Sequence, residues 1–408
     1  MAPWKICSLL FCLTLPAFAG DAPKIAAFSP LTGPYSVGAR QFVWVDKDRQ
    51  DPYSSNTAKN RTVTVQVWYP IPKTDTAPDA PYLLSALEFL GDNVDAATIR
   101  SFNEKAQTRS HLNASVAPGK FPVLLFNPGG GMPRFTSSFV TEQLASHGYV
   151  VFAIEHYGYS HATNYPDGSP LNLDLAPVFK NPEMEKKIAD GTASIEEIKA
   201  SVLADWQKRE DLTFPVCLDD TRFALAQIEK LNAKGRFAAH LDLSRIGTLG
   251  WSQGGAESMH LLVHDPRVKA TVDLDGQFMG KDKETWQSDK PFMLLHSMDP
   301  HEPNPNMDAA MKELTKLTAS WNEHMFTTST GPRFEALISD SDHGNFSDYL
   351  IFYSHFASEE KREKARAREQ LISKLTVSFF NTYLAGKPEP IPLNDPLVAS
   401  SRSSGVNK

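Results

Sequence analysis

Cysteine is nearly absent from this chain, with three in 408 residues, and two of them, Cys7 and Cys12, lie in the first apolar stretch. That stretch has a basic start at Lys5, an apolar run from Ile6 to Leu15 and the ending Pro16-Ala17-Phe18-Ala19, the layout of a secretory signal peptide over residues 1–19. Its removal leaves Cys217 alone, which excludes an intrachain disulfide. A secreted chain without cross-links must be stable by core burial, and at this length folding buries about three quarters of the unfolded surface. The expectation is a secreted single domain over residues 20–408.

Long hydrophobic runs are lacking too. Nothing beyond the leader approaches the roughly 20 consecutive apolar residues that a transmembrane helix requires. Basic excess is missing as well: 41 Lys and Arg face 48 Asp and Glu, for a formal net charge of −7 that repels nucleic acid. No Cys, His and carboxylate set stands at metal-ligand spacing along the chain, so neither a metal nor an organic cofactor is expected. Oligomeric state is not encoded in any visible pattern. Asn60-Arg61-Thr62, Asn113-Ala114-Ser115 and Asn345-Phe346-Ser347 fit the glycan acceptor pattern.

What is present is a series of apolar runs bounded by Gly, Pro or Asn: Val63 to Tyr69, Val123 to Asn127, Val150 to Glu155, Ile246 to Gly250, Ala270 to Leu274, Phe292 to His296 and Phe334 to Ile338. From Val123 onward, most are separated by helix-like stretches, and their continuous apolar character suits strands covered on both faces. Helices are predicted over Phe135 to His147, Asp219 to Leu231 and Glu359 to Leu384, with another over Ser194 to Gln207. The pattern predicts an α/β fold, a doubly wound, mostly parallel sheet with helices on both faces. Insertions fall near 81–112 and 167–214. The second is charged and irregular, which suits a solvated excursion. Within the first, Pro81 to Gly91 is unusually greasy, a stretch that either walls a lipid pocket or packs on the core.

Gly250-Trp251-Ser252-Gln253-Gly254 follows the strand Ile246 to Leu249 and precedes a helical stretch. A nucleophile elbow needs that context: the serine sits on a sharp strand-to-helix turn, and the flanking glycines keep side chains out of its way. A serine hydroxyl also needs a base to take its proton and fixed donors for the oxyanion. One donor in this fold is the amide after the nucleophile, here Gln253. The other comes from an earlier Gly-rich loop, here Asn127-Pro128-Gly129-Gly130-Gly131, and Gly130 is the candidate. Chain order places the base late, and His343, in a polar loop after the last predicted sheet strand, fits better than His260, His264 or His296, which suit structural roles. For the acid, Asp275 and Asp299 each follow a strand, and Asp273 points to the same side as Asp275 but deeper.

At these residues the chain resembles the platelet-activating-factor acetylhydrolases of the secreted, lipoprotein-associated phospholipase type, members of the α/β-hydrolase superfamily. The matching segments are Gly33 to Gly38, Val67 to Pro70, Leu144 to Tyr149, Glu155-His156, Gly250 to Gly255 and His343 to Asp348. The resemblance implies the α/β-hydrolase fold and an acid in a Leu-Asp context on the strand after the nucleophile helix, so Asp275 is preferred to Asp299. It also places Asn345 beside the base, where a glycan would block the site. It implies calcium-independent release of a short acyl group from the middle position of a glycerophospholipid, and contact with a lipid surface. Pro128 stands where many relatives have His, and Trp251-Ser252-Gln253 also resembles elbows of cutinase-like and polyester-hydrolysing enzymes. A general carboxylesterase with the same triad is therefore the alternative, and a lipid-binding protein without activity the third.

Overall fold

The computed structural model of the chain describes residues 28–406 apart from 55–58, 86, 91–94, 161, 172–180, 298–308, 349 and 351–357. Residues 1–19 and Asp299 lie outside the described residues. Eleven strands form one sheet: β1 (Ser36–Gln50), β2 (Asn60–Ile71), β3 (Asp79–Pro81), β4 (Gln107–Leu112), β5 (Phe121–Asn127), β6 (Val150–Glu155), β7 (Leu241–Trp251), β8 (Val268–Leu274), β9 (Phe292–His296), β10 (Arg333–Ile338) and β11 (Val398–Ser404). Their order is β11-β10-β9-β8-β7-β5-β6-β2-β1-β4-β3. The run from β10 to β6 is parallel throughout. Antiparallel strands extend it at both ends: β2 on β6, β1 on β2 and β11 on β10.

The parallel strands are apolar on both sides because both faces are covered. Leu124, Phe126, Val151 and Ala153 pack with Phe139, Val140 and Leu144 of helix Ser138–Ser146 and with Leu371, Ile372 and Leu375 of helix Glu359–Tyr383. Their neighbours Val123, Leu125, Val150 and Phe152 face the other way, onto Ala224, Leu225 and Ile228 of helix Phe214–Ala233. Further along that face, Phe292 and Leu294 meet Ala256, Met259 and Leu262 of helix Gln253–His264. Alternate side chains thus enter two separate cores, which is why the sequence shows no period of two.

The greasy insert packs on the core. Tyr82, Leu83 and Phe89 are buried, and Tyr82 and Phe89 make edge-on contacts with Phe135 at ring-centroid distances of 5.2 and 5.4 Å. A buried ion cluster fixes the same segment: Arg134 Nη1 donates to Glu88 Oε2 at 2.6 Å and to Glu155 Oε2 at 2.8 Å. A charged group this deeply buried is stable only when paired. In the second insertion, Ser194 and Glu197 form a capping box that starts helix Ile195–Leu212, whose outward positions are exposed. Among the described residues, no helix is long and apolar enough to cross a membrane.

Candidate active site

Strand β7 delivers Trp251 and Ser252 to a turn from which helix Gln253–His264 departs. Ser252 has φ 58° and ψ −123°, a backbone conformation that L-residues rarely adopt and that persists only where the surroundings enforce it. Its amide donates to Leu274 O at 3.0 Å, and its carbonyl accepts from Gly255 N at 3.0 Å. The glycines are sterically required. A Cβ on Gly250 would lie 2.1 Å from Gly254 O, and one on Gly254 would lie 1.9 Å from Asn127 O. A methyl group at either position would separate the elbow from the loop that follows β5.

The next strand, β8, ends at Leu274, and Asp275 follows with φ 58°. Its amide donates to Leu295 O at 2.8 Å, and its carboxylate accepts from Ser297 N and Ser297 Oγ, each at 2.7 Å. The same carboxylate meets His343 Nδ1 at 2.6 Å. Burial pushes the Asp275 carboxyl up, but the hydrogen bond and charge of His343 together with Ser297 outweigh it and hold the group below its ordinary value. His343 opens a short 3₁₀ turn, His343–Phe346, capped reciprocally by Asp342 and Asn345. Trp251 Nε1 donates to His343 O at 3.0 Å, and the two rings lie 5.0 Å apart. The residue before the serine therefore holds the backbone of the histidine.

Asn345 is buried, and its Oδ1 accepts from Asp342 N at 3.1 Å, which leaves no room for a glycan. Asp348 ties the histidine loop to the rest of the molecule. Its carboxylate accepts from Tyr82 Oη at 2.6 Å, from Phe139 N at 3.0 Å and from Ser138 Oγ. The segment from His343 to Asp348 thus joins the histidine loop to the greasy insert and to helix Ser138–Ser146.

On the other side of the elbow, the Gln253 side chain bridges two groups that lie far apart along the chain. Its Nε2 donates to Glu257 Oε1 at 3.0 Å, and its Oε1 accepts from Tyr159 Oη at 2.7 Å. Arg209 Nη1, in the last turn of the second insertion's helix, donates to the same Tyr159 oxygen at 2.7 Å. Gly130 lies against this group, since a Cβ there would stand 2.6 Å from Tyr159 Oη and 3.0 Å from Gln253 Oε1. The fold therefore brings Gly130 and Gln253 together beside Ser252. Behind them lies a buried polar network in which Asp220 accepts two bonds from Arg61, at 2.6 and 3.0 Å, and approaches His156 Nδ1 at 3.1 Å. His156, Cys217 and Glu257 offer potential ligand atoms within 4.8 Å of one another, but Asp220 and Gln253 already engage two of the three side chains.

The other residues weighed from sequence fall elsewhere. His296 is buried against Glu335, with Nε2 to Oε1 at 2.9 Å. Asp273 lies beneath the elbow, where Oδ1 accepts from Gly276 N at 2.8 Å and Oδ2 has no hydrogen-bond partner. Burial pushes its carboxyl up to about 7, above the 3.8 of an exposed group. A folded-state value raised in this way gives its most favourable contribution below pH 4, and that contribution is lost as pH rises through about 7. Asp273→Asn is therefore expected to gain stability relative to the parent by roughly 2–3 kcal/mol between pH 5 and pH 8. Urea unfolding at the two pH values measures this, and an unchanged difference would show that the carboxyl titrates normally.

The sheet order and the strained serine on a strand-to-helix turn are those of the α/β-hydrolase fold. The solved ferulic acid esterase from Streptomyces cinnamoneus has the same fold, with a TM-score of 0.61 at 23% identity over 94% of this chain and 99% of that one. A family model for platelet-activating factor acetylhydrolase, isoform II, matches residues 22–174, a region that ends before the elbow. A probable 1-alkyl-2-acetylglycerophosphocholine esterase from Arthroderma benhamiae is 24% identical over 365 residues, covering 84% of this chain and 81% of that one. The platelet-activating factor acetylhydrolase of Cavia porcellus is 23% identical over 372 residues, covering 86% and 77%. The chain is thus an ester hydrolase that is similar to the platelet-activating factor acetylhydrolases.

Proposed function

We propose that this chain is a secreted serine esterase that removes a short acyl group from the middle position of a glycerophospholipid. The observation that carries the reading is the 2.6 Å contact between Asp275 and His343 beside a serine held at φ 58°. In this mechanism, Ser252 Oγ attacks the ester carbonyl and passes its proton to His343 Nε2. Nδ1–H keeps donating to Asp275, which orients the ring and stabilises the imidazolium. The amides of Gly130 and Gln253 hold the developing oxyanion. Collapse expels the lysophospholipid alcohol, which takes the proton from His343, and water then hydrolyses the acyl-enzyme by the same steps. All bonds are made and broken among serine, substrate and water, so the cycle requires no metal.

Substrate class rests on the names of the relatives rather than on the greasy insert, whose aromatic side chains are taken up by the core. Phospholipids with a short middle chain should then be hydrolysed faster than water-soluble esters of equal acyl length, with no loss of turnover in a calcium chelator. Each buried methylene changes binding by about 0.8 kcal/mol, so the acyl-length profile reports the depth of the acyl site. Equal rates on phospholipids and p-nitrophenyl esters, or a maximum with solid polyester, would instead favour a general carboxylesterase or a polyester hydrolase. A protein that bound lipid without turning it over would not react with a fluorophosphonate probe.

A further inference from the structure

The helix that begins at the serine ends at a second cluster of polar side chains. His260 and His264 stand four residues apart on helix Gln253–His264, a spacing that puts both rings on one face. Their centroids are 4.3 Å apart. The loop after β8 returns Asp282 to the same place, with Oδ2 3.0 Å from His264 Nε2. One ligand atom from each of the three side chains lies within 4.8 Å of the others. We propose that His260, His264 and Asp282 form a binding site for a divalent cation of the zinc type, at the opposite end of this helix from Ser252.

Three features distinguish the cluster from an ordinary surface ion pair. Trp286 Nε1 donates to Asp282 Oδ1 at 3.0 Å, which fixes the carboxylate and leaves Oδ2 directed at the histidines. Outer partners of this kind orient the ligands of metal sites. His260 Nδ1 is buried without a hydrogen-bond partner, and a buried polar atom left in that state needs a reason. The lysines on either side of Asp282 do not compete, because Lys283 is engaged by Glu210 at 2.7 Å and Lys281 by Asp211 at 3.2 Å.

Two imidazoles and one carboxylate suit zinc, which binds nitrogen at about 2.0–2.1 Å and carboxylate oxygen at about 2.0–2.2 Å. In a tetrahedral site, ligand atoms at such distances are roughly 3.4 Å apart, so small side-chain rotations close the cluster and water fills the fourth position. Along the helix axis His260 and His264 lie about 12 and 18 Å from Ser252. The ion would therefore cross-link the helix to the loop that follows β8 without touching the ester.

The test uses the full-length protein, stripped with a chelator and titrated calorimetrically with zinc chloride, with thermal unfolding followed in parallel. The expected result is one zinc per chain, a midpoint that rises with zinc, and ester hydrolysis that stripping leaves unchanged. His264→Gln and Asp282→Asn, both at exposed positions, should each weaken binding at least about tenfold, and Trp286→Phe by about 10- to 100-fold with all three ligands still present. Three results would overturn the proposal: no saturable zinc binding, binding that His264→Gln and Asp282→Asn leave intact, or binding that disappears in Cys217→Ser and so belongs to the buried cluster.

Discussion

Ser252→Ala is expected to lower ester hydrolysis on the order of a millionfold while leaving the unfolding midpoint nearly unchanged, as loss of a triad nucleophile does elsewhere. The small stability effect follows from what holds the turn. The hydrogen bonds at this position are made by the backbone amide to Leu274 O and by the carbonyl to Gly255 N, and alanine keeps both. Alanine at φ 58° carries the same Cβ strain as serine, so the elbow keeps its shape and only the hydroxyl is lost. Steady-state hydrolysis of a p-nitrophenyl ester, together with fluorophosphonate labelling, measures the outcome. More than a few per cent residual activity in pure protein would remove Ser252 from the chemistry.

Asp275→Asn should cost about 10⁴-fold in turnover, and the reason lies in the donors around it. The carboxylate meets three donors: Ser297 N, Ser297 Oγ and His343 Nδ1. An asparagine that keeps its oxygen on Ser297 presents an N–H to Nδ1. This places the imidazole proton on Nε2, where the serine proton has to arrive. Asparagine also tolerates the positive φ of this position, so the backbone is not further strained. Asp299→Asn should cost far less. If the two losses were reversed, the acid would be Asp299 and the Asp275–His343 contact would be structural.

The parallel heart of the sheet was legible in sequence because burial on both faces writes an uninterrupted apolar run. All seven predicted strands lie within observed ones. The strands that escaped notice have other constraints. β1 has one half-exposed face and mixes Arg40, Gln41, Asp46 and Lys47 into its pattern, while β11 reads Val-Ala-Ser-Ser-Arg-Ser-Ser and is held by backbone pairing to β10. The elbow could be read because its glycines are sterically obligatory. Tyr159 and Arg209 could not, because a loop and the last turn of helix Ile195–Leu212 are brought to Gln253 only by tertiary folding and nothing in their local sequence marks them. The His260–His264 pair was visible, but its carboxylate partner lies eighteen positions beyond His264 on a different element, and only folding brings it there.

A sheet of eleven strands has two open edges, and each is a template on which another chain can pair. At one end the outermost strand is the three-residue β3, terminated by Pro81, which has no amide hydrogen to offer. At the other, β11 covers the apolar strand β10 and turns a serine-rich surface outward, fastened by Arg402, which pairs with Glu335 and with Glu323 and lies 4.0 Å over the Phe326 ring. Resistance to self-association is thus concentrated in a few residues that take no part in the chemistry. Proteolytic trimming between Leu397 and Val398 would leave Ser252, Asp275 and His343 in place yet expose the backbone of Arg333–Ile338, and the lifetime of such a fragment in solution would be set by aggregation rather than by unfolding.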